Sequence, residues 1–156
     1  MEDNDRELLR GLLGEGRVAT LAVNIDGAPF ASLVPFAMTA DYGAALIHAS
    51  GLARHSAGLT SGGPFSLLIH EPDTEPSTNP AQLARVTLLG SVEVLEKSSE
   101  AYAQARDRYL AKFPKSEITF QLGDFNLYAL TVESSRFVAG FGKAFDVDLD
   151  DLGDRT

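Results

Sequence analysis

The stretch richest in chemical groups is Ile47-His48-Ala49-Ser50-Gly51-Leu52-Ala53-Arg54-His55-Ser56. It reads as a strand handing over to a short helix across 51–61, with Ser50 as the cap and Arg54 and His55 in the first turns. Free amides at a helix start bind anions, and the helix dipole favours negative charge there. Cations at that end are unfavourable by about 0.3–1 kcal/mol unless something neutralises them. Two basic groups beside a capping serine therefore point to a phosphate or similar anion. The plainer reading is a surface arginine beside an ordinary cap. Arg85 and Thr87 share one face of a central strand, opposite an apolar face. There an arginine either meets an anion in a pocket or pairs with one of the 22 acids.

Other motifs lack the context their chemistry needs. Gly11-Leu12-Leu13-Gly14-Glu15-Gly16 is glycine-rich but follows a helix, not a strand, so it is no phosphate loop. Asp146-Val147-Asp148-Leu149-Asp150 starts like a calcium loop, but Asp151 takes the position that requires glycine. It reads as a solvated tail, and Asp124 as a turn cap. His48, His55 and His70 have no metal-ligand spacing, and no Gly-x-Ser-x-Gly elbow supports a serine hydrolase. With no cysteine there is no disulfide, thiol nucleophile or thiolate metal site.

The elements that position these groups follow from the pattern. Leu8, Leu9, Leu12 and Leu13 mark a first helix, and 17–25 reads as a strand. Asp26-Gly27 turns it into a returning strand over 29–38. Strands follow at 44–49 and 64–70, then a proline-containing loop over 71–81. From 83 to 95, Val86, Leu88, Val92 and Val94 alternate with Arg85, Thr87, Ser91 and Glu93. Ser98 or Ser99 caps a helix that Pro114 ends, with Tyr102, Ala105, Tyr109 and Phe113 as its stripe. Two last strands, 126–132 and 136–141, flank Glu133-Ser134-Ser135. Six or seven strands joined mostly by short turns predict a mainly β, antiparallel barrel with flanking helices.

The 156 residues fit one domain, 1–156, with an acidic tail at about 146–156. The net charge of −9 sits mostly at the ends, −3 in residues 1–7 and −4 in 146–156. That balance excludes a nucleic-acid backbone as partner, which needs a basic face. No apolar run approaches the roughly 20 residues of a membrane span, and the acidic start is unlike a secretory signal, so a cytoplasmic location is expected.

Five segments occur in an order that resembles a known family. They are 27–36 (GAPFASLVPF), 50–56 (SGLARHS), 85–90 (RVTLLG), 123–128 (GDFNLY) and 140–144 (GFGKA). Together, over about residues 8–150, they resemble the pyridoxamine 5′-phosphate oxidase-like FMN-binding split barrels, especially the haem-utilisation branch. The resemblance implies a six-stranded split barrel that is a homodimer, with FMN at the subunit interface. By position it assigns Ser50, Arg54 and His55 to the FMN phosphate, Ser32 and Val34 to the strand beside the flavin, and Arg85 and Thr87 to polar contacts with the cofactor.

The leading expectation is thus an FMN-dependent oxidoreductase, with no general acid or base identified. The alternatives are a haem-binding or haem-degrading protein and a non-catalytic split-barrel regulator. The chain departs from the family in three places. It has no tryptophan, and after Lys143 its single base is Arg155, so vitamin oxidation is not implied. No histidine follows His70, so the proximal haem ligand usual in that branch is missing. Gly58 stands where many relatives carry asparagine.

Overall fold

The computed structural model describes residues 1–153; Arg155 therefore lies outside the described residues. Helix α1 (Asp3–Glu15) is followed by strands β1 (Val18–Ile25), β2 (Ala28–Pro35), β3 (Ala37–Met38), β4 (Ala44–Ser50), β5 (Pro64–His70) and β6 (Arg85–Val94). Then come α2 (Glu100–Lys112), α3 (Glu117–Phe120), β7 (Phe125–Gly140) and β8 (Lys143–Asp146). All pairings are antiparallel, in the order β2-β1-β5-β6-β7-β4-β3, with β8 on the free part of β7. Six long strands and two short ones make the split barrel.

Local chemistry explains most boundaries. Asp26 and Gly27 both have positive φ, 52° and 78°, as a two-residue hairpin of primed type demands. Ser99 caps α2 by accepting from the Tyr102 amide at 3.1 Å. Strand alternation sends Leu21, Val34, Leu67, Leu88 and Phe137 into one core, which α1 completes with Leu9, Leu12 and Leu13. A second cluster forms outside the barrel, where Ala105 and Tyr109 of α2 cover Leu46, Leu127 and Ala129 of β4 and β7. The outer face of β2-β1-β5-β6 has no such cover among the described residues.

Two expectations are corrected. The two strands predicted around Glu133-Ser134-Ser135 are one 16-residue strand, β7. Register slips there, Leu89↔Ser134 being followed by Gly90↔Val132, so Glu133 is an extra residue in a β-bulge. The polar triplet bends the strand without ending it, and Val94 turns outward instead of continuing the apolar face. Nor is the acidic C-terminal segment a solvated tail. Residues 143–146 pair with β7, Leu149 and Leu152 are buried, and the Arg10 guanidinium donates to the Leu152 carbonyl at 3.0 Å. Asp148 is consumed in capping a 3₁₀ turn, and Asp146 in pairing with Arg136 at 3.0 Å.

Candidate functional site

The predicted helix at 51–61 is a single 3₁₀ turn, Arg54–Ala57, with Ala53 at its start and no side-chain cap. Ser50 does something else. Its hydroxyl donates to Asp124 Oδ2 at 2.7 Å and accepts from the Leu52 amide at 3.1 Å, while the Gly51 amide donates to the Asp124 carbonyl at 2.6 Å. One turn carries too little dipole to hold a dianion, so the helix-start argument for a phosphate fails. The fold does bring Ser32 and His55 together, Oγ to Nδ1 at 3.1 Å, and lays the exposed Arg54 guanidinium 5.5 Å from the Phe30 ring centre. Burial lowers the His55 pKa, and its Nε2 is buried without a partner. Gly58 is dictated by packing, since a Cβ there would stand 2.6 Å from Val23 Cγ2. Asparagine could not occupy this backbone position without displacing β1.

The other predicted residues are elsewhere. Val34 is 2% exposed, its side chain inside the core. Arg85 and Thr87 alternate with the buried Val86 and Leu88, so they lie on the opposite side of the sheet from Ser32. Within one protomer the seven residues therefore form no single pocket.

That opposite side is the bare outer face. Leu33, Thr20, Leu68 and Thr87 run across it in register on four strands, with Ala31, Ala22, Ser66 and Leu89 in the next row. Leu33 is 70% and Val18 52% exposed, and neither row contains a charge. At one end His70 is paired with Arg85 across β5 and β6. His70 Nδ1 faces the Glu71 carbonyl at 2.5 Å, which makes that nitrogen the donor, and Nε2 has no partner among the described residues. Arg85 donates through one terminal nitrogen to the Ala81 and Leu83 carbonyls, both at 3.0 Å, and keeps its other donors. His70 has no second ligand at metal-binding spacing to mark it in the sequence. The available signal was a histidine in an outward position of a strand beside Arg85.

Residues 12–152 match the CREG beta-barrel family. The chain belongs to that family. Among its relatives, heme oxygenase HutZ of Vibrio cholerae is 32% identical over 133 residues, spanning 85% of this chain and 74% of HutZ. The chloroplastic non-canonical heme oxygenase HOZ of Arabidopsis thaliana is 33% identical over 130 residues, 83% of this chain but 38% of HOZ. A heme-binding protein from Mycobacterium smegmatis superposes with a TM-score of 0.82 at 27% identity, covering 98% of this chain and 61% of that one. The expected FMN-dependent oxidoreductase is corrected by these relatives, which are named for haem chemistry. The haem-utilisation branch of the resemblance stands. As for a membrane, no helix among the described residues is long and apolar enough to cross one.

Proposed function

We propose that this CREG-family barrel binds haem against the bare outer face of β2-β1-β5-β6 and degrades it, as its curated relatives are named for doing. The observation that carries this reading is His70, an exposed imidazole with Nδ1 tied to a backbone carbonyl and Nε2 free. Histidines that ligate metals almost always donate their second nitrogen in this way, which fixes tautomer and ring orientation. Of the other two histidines, His48 and His55 have Nε2 sealed from solvent, so neither reaches an iron without rearrangement. The residues present fit the group.

Haem, when bound, supplies redox-active iron. The chain would do the rest. His70 would ligate the iron through Nε2. Arg85, with donors to spare, would pair with a carboxylate of the group, and Thr87 would add a hydroxyl donor. Val18, Leu33 and Pro35 would exclude water from its apolar part. The same bare face, with its two uncharged rows, is the surface through which we place the homodimer, a second copy covering what one protomer leaves exposed. Replacing Leu33 with glutamate should then shift the sedimentation of the protein to that of a monomer; an unchanged dimer would move the interface elsewhere.

Haemin titration followed in the Soret region tests the ligand. The wild-type chain should saturate at one haem per protomer, and His70→Ala should shift the band and weaken binding by about tenfold or more. Loose, non-saturating association of the wild type would remove the haem reading. A normal spectrum from His70→Ala would keep haem and transfer the iron ligand to another residue.

A further inference from the structure

On the far side of the barrel, α2 leaves a groove of about 410 Å3 against β4 and β7, with Leu46, Leu95, Ala101, Ala105 and Ala129 along it, the polar Glu93 and Gln104 on its margin, and Arg108 at one end. Arg108 also borders a second cavity of about 210 Å3, which Lys112 lines together with Gly14, Ala37, Met38 and Ala111. The small residues keep the opening clear: a Cβ at Gly14 would touch nothing within 4 Å.

Three cations gather at this end of α2. Arg108 Nε donates to the Met38 carbonyl at 3.0 Å. Lys112 donates to the Gly16 carbonyl and lies 4.6 Å from the Phe36 ring centre, while the Arg17 guanidinium sits 4.9 Å from that of Phe113. None of the three belongs to an ion pair among the described residues, where Arg106, Arg136 and Lys143 take the carboxylate partners. Burial, then the charges of Arg17 and Arg108, bring the Lys112 pKa down to about 8. In a chain of net charge −9, three adjacent cations without a carboxylate are conspicuous. The C-terminal carbonyls of α1 account for Lys112, whose ammonium satisfies Gly16. They do not account for the Arg17 guanidinium, which makes no hydrogen bond among the described residues, or for the two terminal nitrogens of Arg108.

We propose that this is a binding site for an amphipathic organic anion, its carboxylate or phosphate head on Arg108 and Lys112 in the field of Arg17, and its short apolar body along the groove against Leu46, Leu95 and Ala105. The two charged side chains that border the small cavity supply several charge-assisted donors to an oxygen-bearing head. The groove has the volume of small-molecule sites and a mostly apolar lining, in which Glu93 is the one carboxylate and would repel an anionic head from that part of the groove toward Arg108. This site is separate from the face assigned to haem and stands or falls independently of it.

The test uses the full chain with three probes: octanoate, octanol and inorganic phosphate. Octanoate should raise the melting temperature saturably and move the NMR titration of the Lys112 side chain above 8. Octanol and phosphate, each with half of the recognition chemistry, should bind at least about tenfold more weakly. Arg108→Gln should weaken octanoate by about tenfold or more. Ala101→Trp, at an exposed helix position, should block the groove while α2 stays folded by circular dichroism. Equal binding of octanol and octanoate, undiminished binding to Arg108→Gln, or phosphate binding as tight as octanoate would each overturn the assignment.

Discussion

Replacing Gly90 with alanine is expected to remove at least about 3 kcal/mol of stability. Gly90 sits at the register slip between β6 and β7, where a Cβ would fall far inside contact distance of the Thr131 carbonyl oxygen and 3.1 Å from the Glu133 nitrogen. These are backbone atoms of the neighbouring strand, so no side-chain rotation relieves the clash. The ladder itself must move, at the point where the extra residue Glu133 already bends it. For a chain of this size that loss lowers the melting temperature by about 6–12 °C. Gly11→Ala provides the control, because Gly11 lies inside α1 and a Cβ there meets nothing within 4 Å. Alanine at that position should leave stability unchanged or raise it by about 0.5–1 kcal/mol. Urea unfolding of both variants decides the matter. A wild-type midpoint for Gly90→Ala would mean that the bulge accepts a side chain and that the register is not held by close approach.

The second large effect comes from pH. His48 is buried and stacks on Phe120 with centroids 3.7 Å apart, with Phe125 at 5.0 Å and Tyr109 at 5.9 Å. Its Nδ1 is 3.3 Å from Thr119 Oγ1, and Nε2 has no partner. The charge of Lys97 is unfavourable to a proton on the ring as well. Burial first, and Lys97 second, push the His48 pKa down to about 4 from 6.5. The unfolded chain then takes up a proton at higher pH than the folded one. Stability is fully present above pH 6.5, falls as the pH drops toward 4, and levels off below that, by about 3 kcal/mol in total. His55 acts in the same direction because burial lowers it too. Asp41, held low by the Thr39 hydroxyl and the Gly43 amide, loses its contribution only below its ordinary value of 3.8. His48→Phe should keep the stack and remove most of the slope between pH 6.5 and 4 in urea titrations. A variant as pH-sensitive as the wild type would show that His48 is not the group responsible.

Much of the fold was legible because short-range rules govern it. The Asp26-Gly27 hairpin, the Ser99 cap and the alternation around Val86 and Leu88 each follow from a few adjacent residues. Misreadings arose where distant segments decide. Glu133-Ser134-Ser135 is polar enough for a turn, yet β6 and the neighbouring strands hold it extended. The aspartates of 146–151 hide the two leucines, Leu149 and Leu152, that anchor the segment. Ser50 prefers Asp124, 74 positions away, to the role of helix cap.

The site was less legible than the fold. Of the residues expected to share a ligand, Ser32 and His55 do meet, but Arg85 and Thr87 look outward from the other side of the sheet. Spacing alone cannot say on which side of a sheet an edge-strand residue will land relative to a central one. The cationic group of Arg17, Arg108 and Lys112 is assembled from segments about 90 positions apart and left no local signature.

The ties between α1 and the last segment have a consequence for how the protein is made. Lys143 reaches Glu2 at 3.0 Å and Asp5 at 3.2 Å, and Arg10 holds the carbonyl of Leu152. A chain leaving the ribosome therefore emerges with the helix that plugs the barrel long before the residues that fasten it. Leu9, Leu12 and Leu13 stay without their full set of neighbours until residues 143–152 have been made, and over that interval their apolar surface is open to misassembly.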